Sequence, residues 1–148
     1  MPGGRVGAER LPRGEGGRSL CRWCNLEVPA GRRTFCSLWC VAEWRLRSDP
    51  GYLREKTFER DRGVCALCRL DTMREFNRMR RLRGAARTRA FAAWGLRPGT
   101  RKSLWDADHI VPVSEGGGEC DLSNIRTLCL NCHRKATAAL RERRFPRP

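Results

Sequence analysis

ADHIVPVSEGGGECDLSNIRTLCLNCH, residues 107–133, holds both histidines of the chain and three of its nine cysteines. An aspartate precedes the first histidine, and a CxxC pair precedes the second. The pattern predicts a strand broken by Pro112, a loop with three glycines, a return strand over Ile125–Cys129 and a helix that begins near Asn131. A purely structural zinc site and a metal-dependent active site are both open interpretations of this stretch.

The two CxxC pairs of this region lie far apart in the sequence. Cys65 and Cys68 form the first pair, Cys129 and Cys132 form the second, and sixty residues separate them. Four thiolates commonly hold structural zinc, so the spacing predicts an ion that joins two distant segments of the chain. Cys120 is left over, and we interpret it as a small buried apolar residue.

A second four-cysteine set lies near the N-terminus. Cys21 and Cys24 precede Cys36 and Cys40 at the spacing of a small zinc finger. Four merely buried thiols are the alternative interpretation. Ser37 is the expected N-cap of a helix that follows the finger.

The longest helical pattern covers residues 71–95, with Asp71 or Thr72 as its cap. Gly84 lies in the middle, so two shorter helices are an alternative to one. A shorter helix is expected upstream, between Pro50 and Gly63. Apolar residues recur every three or four positions and predict one buried stripe, made of Met73, Phe76, Met79, Leu82, Ala86, Ala90 and Trp94.

The chain is strongly basic. It has 148 residues, a net charge of +15 and 31 Lys plus Arg, of which only Lys56, Lys102 and Lys135 are lysine. Arginine binds phosphate through two parallel hydrogen bonds, so DNA is the expected partner, with RNA less favoured and a solvated charge as the alternative. The predicted nucleic-acid contacts are Arg74, Arg78, Arg81, Arg134 and Lys135.

No signal peptide or membrane-spanning pattern is visible in the sequence, which argues against a membrane partner. We expect an intracellular location, either the bacterial cytoplasm or, in a eukaryote, the nucleus. Paired CxxC motifs in that reducing setting favour zinc over disulfides. A monomer is the favoured oligomeric state.

Four polar residues of the opening stretch form a candidate catalytic set. Asp108 and His133 could share a divalent cation and leave positions open for water and a phosphate oxygen. His109 points to the other side of the strand, where it could act as a general base. Asn124 could clamp the loop and aim His109. Asp106 lies near the site, and the sequence favours no more than a secondary role for it.

Each of these residues also has an ordinary explanation. His109 could be a structural histidine, His133 an alternative zinc ligand and Asn124 a turn residue. Asp108 could pair with one of the many arginines. We favour the catalytic interpretation because four separate explanations would otherwise have to coincide on one hairpin and helix.

The stretch resembles the HNH endonucleases in its motif residues. His109, Asn124 and His133 match the three letters of the motif, at intervals of fifteen and nine residues. The flanking CxxC pairs and residues 35–68 are similar to the zinc-braced branch found at the nuclease end of eukaryotic fork-remodelling annealing helicases and in stand-alone bacterial relatives.

The resemblance implies a small α+β fold stabilised by zinc. Its centre would be a ββα-metal core, treble-clef-like, with added helices and an N-terminal zinc finger of four cysteines. The expected boundaries are a disordered basic tail at 1–19, the finger at 20–48, the nuclease domain at 49–142 with a helical insertion at 71–95, and a tail at 143–148.

The resemblance also implies an activity. His109 would deprotonate water, and one Mg²⁺ or Mn²⁺ ion held by Asp108 and His133 would assist phosphodiester hydrolysis, leaving 5′-phosphate and 3′-hydroxyl ends. Two further zinc ions would be structural. The alternative from another class is a zinc-finger module that binds nucleic acid without cutting it.

Overall fold

The computed structural model describes residues 6–118 and 121–145. Within them it has five helices and two strands: α1 (Leu38–Ser48), α2 (Pro50–Asp61), α3 (Thr72–Arg81), α4 (Gly84–Ala92), β1 (Trp105–His109), β2 (Ile125–Cys129) and α5 (Leu130–Arg144). This confirms the predicted small α+β fold. In the described part of the chain, no helix combines the length and apolar character needed to cross a bilayer. Cys120 lies outside the described residues, so its predicted burial stays a prediction.

The chain divides within α2 into two units. Among the described residues, the first unit covers 6–53 and 121, and the second covers 54–118 and 122–145. The first contains the finger, α1 and the start of α2, and the second contains the rest of α2, the other helices and both strands. The finer domain boundaries expected from the sequence stay predictions.

The described part of the N-terminal segment makes hydrogen bonds. Ala8–Arg10 forms a 3₁₀ turn, and the Ser19 hydroxyl donates to the Ala8 carbonyl at 3.0 Å. The Ser19 carbonyl also accepts a backbone bond from Val28 of the finger at 2.9 Å. The disordered tail expected over 1–19 stays a prediction.

The finger leads into α1 as expected. The Ser37 side chain accepts a hydrogen bond from the backbone of Cys40 at 3.1 Å, which satisfies a free amide of the first helical turn. Cys40 therefore lies at the N-terminal end of the helix, where the helix dipole favours a thiolate.

The helical insertion of the second unit is two helices rather than one. Asp71 caps α3 by accepting from the Arg74 amide at 2.8 Å, and Gly84, the first residue of α4, takes a left-handed φ of 53°. Because of the break, the residues of α4 that face the core do not follow the spacing set by α3. As a result Phe91 is buried in place of the predicted Ala86. Phe76 and Phe91 meet edge to face at 6.0 Å in a core that also contains Met79, Leu104 and Leu130.

The hairpin runs directly into α5 without a connecting loop. β1 and β2 pair antiparallel from Trp105 opposite Cys129 to His109 opposite Ile125. The N-cap of α5 is Cys129, whose sulfur accepts from the Cys132 amide at 3.5 Å. The sequence places Asn131 at or near the cap of this helix, and the observed N-cap, the last strand residue, lies two positions earlier.

Both predicted cysteine sets come together. Within each set of four, one sulfur from every cysteine lies within 4.8 Å of the others, and none of the eight described cysteines forms a disulfide. A tetrahedral zinc ion with Zn–S bonds of about 2.3 Å places its sulfurs about 3.8 Å apart. The measured separations of 3.4 Å for Cys24–Cys36 and 3.7 Å for Cys68–Cys129 are close to that value. Both sets therefore fit structural zinc.

Hydrogen bonds and burial set the ionisation of the thiols. Burial opposes ionisation of Cys21 and Cys65, but hydrogen bonds from backbone amides outweigh it and lower the pKa of each from 9.0 to about 6. Burial and the neighbouring thiols raise the pKa of Cys132 to about 12. Each cluster therefore has one cysteine that ionises readily near neutral pH, whereas Cys132 ionises only when a cation compensates its charge.

We expect two zinc ions per chain and the loss of one in a Cys129→Ser variant. Structural zinc binding contributes roughly 10–16 kcal/mol in small metal-dependent folds, so removal of this ligand should abolish cooperative unfolding of the second unit. Elemental analysis and differential scanning calorimetry measure the two effects. Cys120→Ser, at the cysteine outside both CxxC sets, is the control and should keep both ions. A Cys129→Ser protein that retains two zinc ions would contradict the bridging role.

Zinc affinity of the finger should increase with pH. Burial raises the pKa of Cys40 above 9.0, a hydrogen bond with Cys40 raises that of Cys36, and the pKa of Cys24 is also raised by burial and nearby thiols despite the Leu26 amide. These thiols must lose their protons on binding, so a higher pH favours the bound state. Competition against a chromophoric chelator between about pH 6 and pH 9 tests this, and a flat profile would disprove it.

Candidate active site

The hairpin and α5 bring Asp108 and His133 together. The Asp108 Oδ1 atom lies 3.7 Å from His133 Nε2, and both side chains are partly buried. Two ligand atoms that each lie about 2.1 Å from one ion are roughly 3.0 Å apart when the angle at the ion is a right angle. They are roughly 4.2 Å apart when the ion lies on the line between them. An oxygen and an imidazole nitrogen at this distance therefore suit a divalent cation that keeps further positions for solvent or substrate.

Arg126 holds the Asp108 carboxylate from the opposite strand. Asp108 pairs with Arg126 across the hairpin, and the Arg126 Nε and Nη2 atoms each donate to Asp108 Oδ2 at 3.0 Å. The arginine pairing that the sequence analysis left open for Asp108 is therefore present. It uses only Oδ2, so Oδ1 stays directed at His133.

Asp106 lies on the same face of β1 as Asp108 and contacts the other nitrogen of His133. Its Oδ2 atom is 3.4 Å from His133 Nδ1. Its Oδ1 atom accepts from Arg101 and lies 3.5 Å from Arg54. Two carboxylates therefore flank the imidazole, with Asp106 at Nδ1 and Asp108 at Nε2, and this arrangement orients the ring.

His109 occupies the last position of β1 and lines a cleft of about 340 Å³. Asp108 and Arg126 line the same cleft, although adjacent strand residues point to opposite faces. Asp108 therefore both lines this cleft and contacts His133.

Asn124 makes hydrogen bonds with the loop on both ends of its amide. Its Oδ1 atom accepts from the Val111 amide at 2.8 Å, and its Nδ2 atom donates to the Val111 and Gly117 carbonyls at 2.9 and 2.7 Å. These are the loop contacts that the sequence analysis expected. Its role in aiming His109 stays a prediction.

Gly117 explains part of the glycine run. A Cβ atom on this residue would lie 1.8 Å from the Val111 carbonyl oxygen and 2.9 Å from Asn124 Nδ2. No side chain can occupy that space, so the Asn124 contacts require glycine here. Two residues before Gly117, Glu115 forms an ion pair with Arg143 of α5 at 3.1 Å.

The five predicted nucleic-acid contacts are all exposed or partly exposed. Arg74, Arg78 and Arg81 line a groove of about 1000 Å³ along α3. Arg78 is paired with Glu75 at 2.7 Å. Arg134 donates to the Trp94 carbonyl at 2.6 Å, so one edge of its guanidinium has a structural contact.

The sequence analysis missed the arginines that surround the two aspartates. Arg126, Arg101 and Arg54 reach Asp106 or Asp108 from β2, the loop before β1 and α2. The only signal for Arg126 is its strand position opposite Asp108, which becomes visible once the hairpin register is known. Arg54 and Arg101 carry no local sequence signal.

A family model described as HNH endonuclease matches residues 96–139, which include both histidines, Asn124 and the second CxxC pair. The chain is also similar to curated proteins described as DNA annealing helicase and endonuclease ZRANB3. Identity is 41% over 116 residues with the Bos taurus protein, covering 70% of this chain. It is 37% over 143 residues with the Mus musculus protein, covering 82% of this chain.

The chain spans only 11% and 13% of the length of those two relatives. A solved structure described as the human ZRANB3 HNH domain is 35% identical, with a TM-score of 0.49, and the match covers 62% of this chain and 88% of that one.

The motif residues, the hairpin and helix that carry them, and the similarity over most of the chain agree with one another, and they confirm the assignment made from the sequence. The chain contains a domain of the HNH endonuclease family, matched over residues 96–139.

Proposed function

We propose that the second unit hydrolyses phosphodiester bonds in DNA with the help of one divalent cation. The observation that carries this proposal is the 3.7 Å approach of Asp108 Oδ1 to His133 Nε2, next to a cleft that His109 lines. Asp108 thus belongs to the proposed pair of cation ligands and also lines the cleft of His109, the candidate base. A structural zinc site alone would need neither of them, since four thiols already fit that ion.

In this proposal His109 is the general base. It removes a proton from a water molecule as that water attacks phosphorus in line with the departing 3′ oxygen. The departing oxygen takes a proton from solvent, which leaves 5′-phosphate and 3′-hydroxyl ends. An imidazole suits this step because its ordinary pKa of about 6.5 lies near physiological pH. Asn124 holds the loop that follows His109 and so fixes the cleft wall through its bonds to Val111 and Gly117.

Asp108 and His133 would hold the cation, as Mg²⁺ or Mn²⁺. When bound, the ion would supply positive charge to the phosphate oxygens in the transition state and to the leaving oxygen. Arg126 keeps the Asp108 carboxylate in place through Oδ2, and Asp106 keeps His133 turned so that Nε2 faces Asp108. Both residues therefore position ligands rather than react.

DNA is the proposed substrate for two reasons. The net charge of +15 and the exposed arginines favour a polyanion. The curated relatives are described as DNA annealing helicases and endonucleases, although this chain spans only a small part of them. One site per chain makes nicking of a single strand the expected outcome for a monomer.

The alternative is a module that binds nucleic acid without cutting it. The finger favours this candidate, because its exposed Trp39 and its arginines could bind nucleic acid without any nearby reaction centre. A mobility shift in EDTA, run beside plasmid nicking with Mg²⁺ or Mn²⁺, separates the two. Binding without nicking at any cation concentration would support the alternative and overturn our proposal.

His109→Ala should abolish nicking while leaving zinc content and the melting temperature near those of the wild type. Removal of a general base typically costs about 10²–10⁴-fold in rate. His109→Gln is a second variant that keeps a polar side chain of similar size without the basic nitrogen. Plasmid nicking gives the rate, and elemental analysis and calorimetry check the fold. Nicking at the wild-type rate in either variant would disprove the role of His109.

Asp108→Ala should weaken Mn²⁺ binding as well as activity. Loss of one of two protein ligands should raise the cation concentration needed for half-maximal nicking by at least about tenfold. Isothermal titration with Mn²⁺ on zinc-loaded protein measures the affinity without any cleavage. Glu142→Ala, an exposed carboxylate on α5, is the matched control. Equal Mn²⁺ affinity in Asp108→Ala and the control would place the cation elsewhere.

A further inference from the structure

Two arginines of the second unit have backbone conformations that arginine seldom adopts. Among the described residues, only Asn25, Arg62 and Arg69 combine a positive φ with a side chain, at 59°, 54° and 61°. Asparagine tolerates this region because its short side chain can bond locally, whereas arginine has no such compensation. Arg62 and Arg69 therefore occupy positions where glycine or asparagine would fit the backbone better.

The finger provides an internal comparison for Arg69. In the finger, Asn25 follows Cys24 and donates its backbone amide to the Cys21 carbonyl at 3.0 Å. In the second unit, Arg69 follows Cys68 and donates in the same way to the Cys65 carbonyl, also at 3.0 Å. The two CxxC turns thus need the same left-handed residue, and only the second uses arginine. The turn itself does not explain the long cationic side chain.

Both arginines line one cleft of about 510 Å³, and both side chains are exposed. Within the described part of the chain, neither makes an ion pair. Arg60 lines the same cleft but is occupied, because it pairs with Asp61 and donates to the Leu122 and Ile125 carbonyls. The cleft therefore presents two unpaired positive charges.

This cleft shares lining residues with two others. Ile110 and Arg126 also line the cleft that contains Asp108 and His109. Arg69 also lines the groove along α3 that contains Arg74. The three concave surfaces are thus neighbours that share wall residues, in the order candidate active site, Arg62 and Arg69 cleft, and groove along α3.

We infer that Arg62 and Arg69 form a phosphate-binding site that holds the nucleic-acid backbone between the active-site cleft and α3. We call the connected residues Arg126, Arg62, Arg69 and Arg74 the arginine track. Its ligand is the phosphodiester backbone, because unpaired guanidinium groups on a concave surface suit phosphate oxygens. The inference rests on the proposed function for the substrate, but its binding test does not require cleavage.

The test is the salt dependence of DNA binding by the full chain in EDTA. A fluorescent duplex is titrated by anisotropy between roughly 50 and 200 mM salt, where each phosphate contact contributes about 0.9 to the slope of log K against log salt. Arg62→Gly with Arg69→Gly should reduce that slope by about 1.8 relative to the wild type. Glycine suits the positive φ at both positions, so the melting temperature should stay the same or rise.

Two comparison proteins make the result decisive. Arg83→Ala with Arg89→Ala removes two exposed arginines of α4 and its cap that do not line the track, and should leave the slope within about 0.5 of the wild type. Arg62→Lys with Arg69→Lys keeps the charges and should retain most of the slope. A wild-type slope in the double glycine variant, or an equal loss in the Arg83 and Arg89 control, would overturn the track.

The outcome is independent of whether the protein cuts DNA. If the wild type binds DNA but never nicks it with Mg²⁺ or Mn²⁺, the proposed function fails and the slope comparison still decides the track. If the wild type nicks DNA and the double glycine variant keeps the wild-type slope, only the track fails.

Discussion

The second unit depends on one constraint, which is that four thiols from two distant segments lie close together: Cys65, Cys68, Cys129 and Cys132. Sixty residues separate the two pairs, yet Cys65 and Cys129 are almost completely buried and their sulfurs fit one zinc ion with those of their partners. The unit has a small core and a two-stranded sheet, and a two-stranded hairpin is marginal by itself. The metal-bound thiols supply the long-range connection that the apolar residues alone provide only weakly.

The candidate active site follows from that connection through Cys129. This residue ends β2, belongs to the zinc cluster and caps α5, so one position fixes the strand, the helix and the angle between them. His133 lies one helical turn beyond it and meets the aspartates of the neighbouring strand. The cysteine cluster thus positions His133, which we propose as a cation ligand, without contacting it.

Most of the fold was predictable from residues whose chemistry is strongly position-dependent. The cysteine spacing predicted both clusters, Ser37 and Asp71 predicted helix starts, and Ile125–Cys129 was recognised as the return strand. The sequence is less informative where a residue has a second role that its type does not suggest. Cys129 also caps α5, and the described part of the N-terminal segment has backbone hydrogen bonds to the finger.

The candidate site was predictable in its members but not in its charge environment. Asp108, His109, Asn124 and His133 follow from the motif, and alternation along a strand places Asp106 beside Asp108. The arginines come from three different elements, and their contacts depend on hairpin register and on the packing of α2. A sequence with so many arginines does not reveal which of them lie beside a carboxylate.

Because β2 runs directly into α5, the motif tolerates insertions between His109 and Asn124 better than insertions between Asn124 and His133. The segment between β1 and β2 is a loop closed by side-chain contacts, so an insertion beyond Gly118 could bulge outward while Asn124 keeps its partners. The segment between Cys129 and His133 contains no loop that could take up an extra residue. One added residue there would turn His133 by about 100° around the helix axis and carry its imidazole away from both aspartates. Natural variants of this domain should accordingly differ in loop length on one side of Asn124 and keep a fixed count on the other.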